Sequence, residues 1–171
     1  THKDVKMFMK LSRRGGSLLG VHARRQMSSE LRVEKDLAFP GTDNPSTIVT
    51  LTMSRAGARN ALGRQLLGEI KSAIQELPRD PDVRAVVLHS DVERVFCAGA
   101  DLKERKTMTP QEASEFVSDL RNTFTALSVL PLPTISAVEG AALGGGLEIA
   151  LKDEELRCTR SVMWFANELV V

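Results

Sequence analysis

Nowhere does this sequence approach the roughly 18 consecutive apolar residues that a membrane-spanning helix needs. It has only two cysteines, Cys97 and Cys158, with no CxxC spacing, which excludes a disulfide scaffold and gives no zinc or redox pair. His2, His22 and His89 form neither an HExxH nor a close pair, so the commonest zinc constellation is missing. There is no GxGxxG dinucleotide loop, no GK[ST] ending for a phosphate loop and no GxSxG nucleophile elbow. What remains is an ordinary globular composition, 42% hydrophobic and 26% charged over 171 residues, which fits one domain with or without an appended segment.

The formal charge of +1 is unevenly spread. Residues 1–29 contain Lys or Arg at positions 3, 6, 10, 13, 14, 24 and 25 against the single acid Asp4, so they carry +6 and leave −5 for residues 30–171. A net acidic body gives no electrostatic footprint for nucleic acid. Residues 7–29 hold no acid, several Arg and Ser, and scattered apolar residues, the composition of a mitochondrial presequence. Arg24 and Arg25 ahead of Ser28 suit processing in the matrix. The expected division is a targeting segment over 1–29, a folded part over 30–151 and a divergent tail over 152–171.

Residues 31–35 and 48–53 are short β-prone runs separated by Pro40, Gly41, Asp43, Asn44 and Pro45, which predicts a hairpin with a long loop. Leu62, Leu66, Leu67, Ile70, Ala73, Ile74 and Leu77 recur at helical spacing, with Asn60 as the expected N-cap and Pro78 as the stop. Residues 85–88 read as a strand buried on both faces. Thr109, Pro110 and Glu112 match an N-cap, an N1 proline and a capping-box acid, and a helix with Phe116, Leu120, Phe124 and Leu127 on its apolar face follows. Residues 134–138 read as another strand and a glycine cluster opens a third helix near Leu147. Strands alternating with helices predict an α/β domain with parallel strands, whose site lies beyond the carboxyl ends of those strands.

That rule selects residues 96–105 (FCAGADLKER), after the 85–88 strand, and 140–148 (GAALGGGLE), after the 134–138 strand. Both place small residues where a strand passes into a helix, so backbone N–H groups are open to a ligand oxygen. Two such donors converging on one point would form an oxyanion hole. The three glycines are equally a packing device. Glu148 is either a first-turn acid that complements the helix dipole or a carboxylate held beside whatever the hole binds. Asp101 fits a helix cap, Cys97 a buried small residue rather than a nucleophile, and His89 a structural role.

Taken together, Arg55 with residues 58–62 (ARNAL), residues 96–105 and residues 133–151 (PTISAVEGAALGGGLEIAL) closely resemble the crotonase superfamily, the enoyl-CoA hydratases and isomerases. The form FCAGADLKER is most similar to the mitochondrial subgroup that includes methylglutaconyl-CoA hydratase. The resemblance implies a crotonase-like ββα spiral fold, here its N-terminal portion only. It implies that the N–H groups of Ala100 and Gly145 polarise a thioester carbonyl. Ala58, Arg59, Ala100, Asp101, Leu102, Lys103 and Gly145 would contact an acyl-CoA substrate. No metal or redox cofactor is implied; coenzyme A enters as part of the substrate. Glu148 matches one of two catalytic glutamates, and Glu168, twenty positions later, stands where the second is expected, although its surroundings do not resemble the family's.

The implied reaction is hydration of a 2-enoyl-CoA in the mitochondrial matrix, in fatty-acid or branched-chain amino-acid breakdown, with double-bond isomerisation as the neighbouring alternative. Full-length members form trimer-type homo-oligomers. RNA binding, known for some relatives through a lysine-rich helix, is not expected, because the helix over 62–77 carries only Arg64 and Lys71. The likeness fades at Leu151, where Lys152 and three acids follow. The chain is therefore expected to be a truncated piece, or a non-catalytic subunit docking on full-length relatives. It would leave an open sheet edge at 134–138 and be nearly inactive alone.

Overall fold

The computed structural model describes residues 29–37, 46–152, 155–158 and 164–165, the last two segments through their backbone pairing. Of the expected targeting segment over 1–29, all but Ser29 lies outside the described residues, as does Glu168.

Five strands form the main sheet in the order β1-β2-β3-β5-β7. β1 (Leu31–Leu37) and β2 (Thr47–Met53) pair antiparallel, from Leu31 opposite Met53 to Leu37 opposite Thr47, the hairpin that the two β-prone runs predict. β3 (Val83–Ser90) runs parallel to β2 and to β5 (Thr134–Val138). Parallel neighbours require crossovers, and helices supply them. α1 (Arg64–Glu76) joins β2 to β3 and buries Leu66, Leu67, Ile70 and Ile74. Of these, Leu66, Ile70 and Ile74, four residues apart, meet Val49, Leu51 and Met53 in one core, to which α3 (Pro110–Ser128) adds Phe124 and Leu127. Each fully buried aliphatic side chain contributes about 1.5–3 kcal/mol of transfer free energy. The capping box at the start of α3 is present: Thr109 Oγ1 accepts from the Glu112 N–H and Glu112 Oε2 accepts from the Thr109 N–H.

Three findings depart from the sequence expectations. The first helix begins at Arg64, and its N-cap is Gly63, not Asn60. Asn60 is instead fully buried in the turn before it. Two short strands, β4 (Val95–Cys97) and β6 (Ala141–Leu143), lie between the main strands and the glycine-containing loops. Together with β8 (Trp164–Phe165) they form a second, parallel sheet in the order β4-β6-β8, so each loop leaves a short strand of this small sheet. Finally, the edge expected to stay open at 134–138 is paired. β7 (Glu155–Cys158) runs parallel to β5, from Ile135 opposite Glu155 to Val138 opposite Cys158. The charge run need not sit within a covered strand, since Lys152 ends α4 (Gly145–Lys152) and only Glu155 of the run enters β7.

Candidate active site

The site is built where β4 and β6, side by side, release their chains into helices. Gly99 has φ +87, a left-handed conformation that side chains rarely adopt, and a Cβ there would stand 2.7 Å from the Leu143 carbonyl oxygen and 3.6 Å from the Gly145 nitrogen. At Gly146 a Cβ would lie 2.5 Å from the Cys97 carbonyl oxygen. The two loops therefore touch backbone to backbone, and glycine at these positions is what permits it.

A third segment closes the site from below. After β2 the chain makes a 3-10 turn (Ala56–Ala58), then passes through left-handed Arg59 and Asn60, both at φ 53. Leu62 forms a parallel bridge with Ala100: its N–H donates to Gly99 O at 2.7 Å, and its carbonyl accepts from the Asp101 N–H at 3.0 Å. In that pattern the residue between the two bonds turns its own N–H to the opposite edge. The N–H of Ala100 thus faces away from Leu62. Gly145 is the first residue of α4, whose opening N–H groups have no intrahelical acceptor. Among the described residues no backbone hydrogen bond uses the N–H of either Ala100 or Gly145.

Glu148 lies in the first turn of α4, half-buried, with its N–H donating to Gly144 O at 3.0 Å. Among the described residues its carboxylate has no hydrogen-bond partner. Asp101 is the N-cap of the short helix α2 (Leu102–Arg105): Oδ1 accepts from the N–H groups of Lys103 and Glu104 at 3.0 and 3.1 Å. Burial pushes the Asp101 carboxyl up, but the Glu104 N–H, the Arg55 guanidinium and the Lys103 N–H together hold it below the usual carboxylate range. Burial raises the Cys97 thiol to about 12; its Sγ donates to Asn60 O at 3.0 Å, so Cys97 is an inert packing residue, as its sequence context suggested.

The structure brings several of the sequence-derived candidates to the first loop. Ala58 and Arg59 are brought against the first loop by the Ala98 N–H donating to Arg59 O at 3.0 Å. Leu102, 66% exposed, and exposed Lys103 extend the same rim outward. Glu168 is the one candidate outside the described residues. Two residues have partners that their sequence context did not announce: Asn60, expected to cap the first helix, and Arg55, read only as part of a motif. Asn60 donates from Nδ2 to Ser90 Oγ (2.8 Å) and Phe96 O (3.0 Å) and accepts the Arg55 N–H at 2.8 Å. Arg55 bridges two carboxylates. The neighbouring Gly57 and the tolerance of Asn for left-handed backbone are the signals of a turn that were available. On α1, Arg64 pairs with Glu112 and Lys71 with Asp119, which neutralises the only two cations of that helix.

The two strand-to-helix bends meet backbone to backbone, and Glu148 stands one helical turn beyond Gly145. The enoyl-CoA hydratase/isomerase family model matches residues 43–162, and the chain belongs to that family. The match continues past Leu151. The mouse mitochondrial methylglutaconyl-CoA hydratase is 43% identical over 133 residues, covering 77% of this chain and 42% of that protein. The mouse mitochondrial enoyl-CoA hydratase domain-containing protein 2 is 44% identical, covering 68% of this chain and 40% of its own. Among solved structures, the enoyl-CoA hydratase from Bacillus anthracis superposes with a TM-score of 0.65 at 33% identity, over 74% of this chain and 46% of that one. The fold is the N-terminal portion of the crotonase-like α/β fold, and the chain spans less than half the length of these relatives.

Proposed function

We propose that this site hydrates a 2-enoyl-CoA thioester. Water adds across the α,β double bond: its oxygen bonds to the β carbon, negative charge moves onto the thioester oxygen, and a proton then bonds to the α carbon. The N–H groups of Ala100 and Gly145 receive that charge, each such donor contributing about 3–4 kcal/mol to transition-state stabilisation. Glu148 takes the proton from the attacking water, and Glu168 is the proposed source of the proton for the α carbon. Because two amides supply the electrophile, the proposed chemistry needs no metal or redox group. Ala58, Arg59 and Asp101–Lys103 are the proposed rim for the coenzyme A portion, with Lys103 favouring its anionic phosphates.

The observation that carries this reading is the contact between the two bends, a Gly99 Cβ position 3.6 Å from the Gly145 nitrogen, with neither donor N–H in a backbone hydrogen bond among the described residues. The names of the mitochondrial relatives, with the basic composition of residues 7–29, support a mitochondrial and more narrowly a matrix location. The proposed setting is fatty-acid or branched-chain amino-acid breakdown, and the proposed assembly a homo-oligomer of the trimer type. With crotonyl-CoA, absorbance of the conjugated thioester is expected to fall. Glu148→Gln is expected to lower kcat by about 10²–10⁴-fold, the range for a general base, and undiminished turnover in that variant would remove Glu148 from the mechanism.

A further inference from the structure

A half-buried cluster of ion pairs lies beside the two bends, and its central residue, Arg55, has no part in the chemistry above. Arg55, with 22% of its side chain exposed, follows β2 and reaches in two directions. Its Nε meets Glu30 Oε1 at 2.7 Å, and its Nη1 meets Asp101 Oδ2 at 2.8 Å and the Ala61 carbonyl at 2.6 Å. Of the two carboxylates, only that of Asp101 is tied on its far side; Glu30 Oε2 is buried without a hydrogen-bond partner among the described residues, and Glu30 is held through its backbone. The N–H groups of Glu30 and Leu31 donate to Glu69 Oε2 at 2.9 and 2.7 Å, anchoring the start of β1 on α1. Asp101 Oδ1 holds the first N–H groups of α2. Ion pairs thus run from the Glu30 side chain through Arg55 to Asp101, the residue that follows Ala100, while the Glu30 backbone is anchored on α1.

We propose that Arg55 is a positioning residue that presets the direction of the Ala100 N–H by clamping the Asp101 carboxylate from the side opposite its cap. The inference rests on the oxyanion role proposed for Ala100. The backbone bridge to Leu62 holds the two peptide planes that flank Ala100, one through Gly99 O and the other through the Asp101 N–H, and the second anchor is steadied by whatever holds the Asp101 side chain. A bare cap leaves that carboxylate free to turn about its side-chain bonds; a planar guanidinium that also grips Glu30 and Ala61 does not. A lysine offers one compact ammonium and cannot hold both carboxylates in that fixed geometry.

The test compares wild type with Arg55→Lys, which keeps the buried charge, and with Asp101→Asn, which keeps a cap acceptor but breaks the ion pair. Amide hydrogen exchange at residues 103 and 104 is expected to quicken about tenfold in both variants while protection within β3 is unchanged. With crotonyl-CoA, Arg55→Lys is expected to lower kcat about tenfold with KM within about twofold of wild type, the signature of an interaction made in the transition state. Wild-type exchange at 103 and 104 in either folded variant overturns the proposal. So does a loss of melting temperature with exchange and kcat unchanged, which would assign Arg55 to stability alone. If wild type leaves crotonyl-CoA unchanged, the hydratase reading fails, while the exchange measurement still decides whether Arg55 holds the Asp101 cap.

Discussion

Asn60 has no place in the chemistry, yet its side chain joins more of the site than any reacting group does. At φ 53 it occupies a left-handed position that Asn tolerates better than most residues. Its amide reaches the end of β3 at Ser90 and the middle of β4 at Phe96, and its carbonyl oxygen takes the N–H of Arg55. Replacing it by alanine leaves the Phe96 carbonyl and the Arg55 N–H without partners in a dry environment. Each buried unsatisfied group costs about 1–3 kcal/mol, so Asn60→Ala is expected to destabilise by about 2–4 kcal/mol, measured by urea unfolding. A loss under about 1 kcal/mol would show that the hub is dispensable. The sequence presented Asn60 as a helix cap because Asn before an amphipathic run is a cap signal. Nothing local distinguishes that use from a left-handed hub whose partners lie 30 and 36 residues away.

Elements with enough residues to show a period were legible: α1 and α3 by their 3.6-residue apolar repeat, β3 and β5 by short apolar runs between turn formers. β4 and β6, three residues each, are too short for alternation to appear, and they read as loop. Their pairing is nonetheless what brings the two bends together, because α4 sets its first turn directly on the end of β4. At Gly146 a Cβ would stand 2.5 Å from Cys97 O, 2.7 Å from Cys97 Cβ and 2.9 Å from Cys97 Sγ. The first of these is backbone, so no side-chain rotation relieves it. Gly146→Ala is expected to push α4 off β4, costing about 1–3 kcal/mol of stability as overpacking does, and to lower hydration of crotonyl-CoA by displacing the neighbouring Gly145 N–H. Since Gly57 has open space around its Cβ position, Gly57→Ala serves as the matched control and is expected to unfold like wild type. An unchanged melting temperature in Gly146→Ala would mean that the two elements are not in contact.

At the scale of the whole molecule, buried and paired ionisable groups set how stability answers to pH. His89, on β3 between Thr52 and Ala137, has its pKa held below 6.5, first by burial and also by Arg32, against the opposing pull of Glu139 and Asp91. A histidine depressed in the folded state contributes stability that is present above 6.5 and is lost as pH falls through its folded value. Glu30 acts in the opposite sense. Burial first, and repulsion from Glu69, raise its carboxyl above 4.5 despite the attraction of Arg55, so its contribution is present below 4.5 and is lost as pH rises through its folded value. Asp101 is held below the usual range of 3.8, and hydrogen bonds from Thr109 hold Glu112 below 4.5; what they add disappears only as pH falls through those lowered values. Between pH 6.5 and 4.5 His89 and Glu30 therefore act on the urea-unfolding midpoint in opposite senses, and below 3.8 the midpoint is expected to fall as Asp101 becomes protonated. In His89→Gln the opposition is lifted, and the midpoint is expected to rise on acidification from 6.5 toward 4.5 before the same fall. Adding Glu30→Gln should level that rise. A His89→Gln curve that tracks wild type throughout would place the imidazole in water in the folded protein, contrary to its half-buried position in the middle of the main sheet.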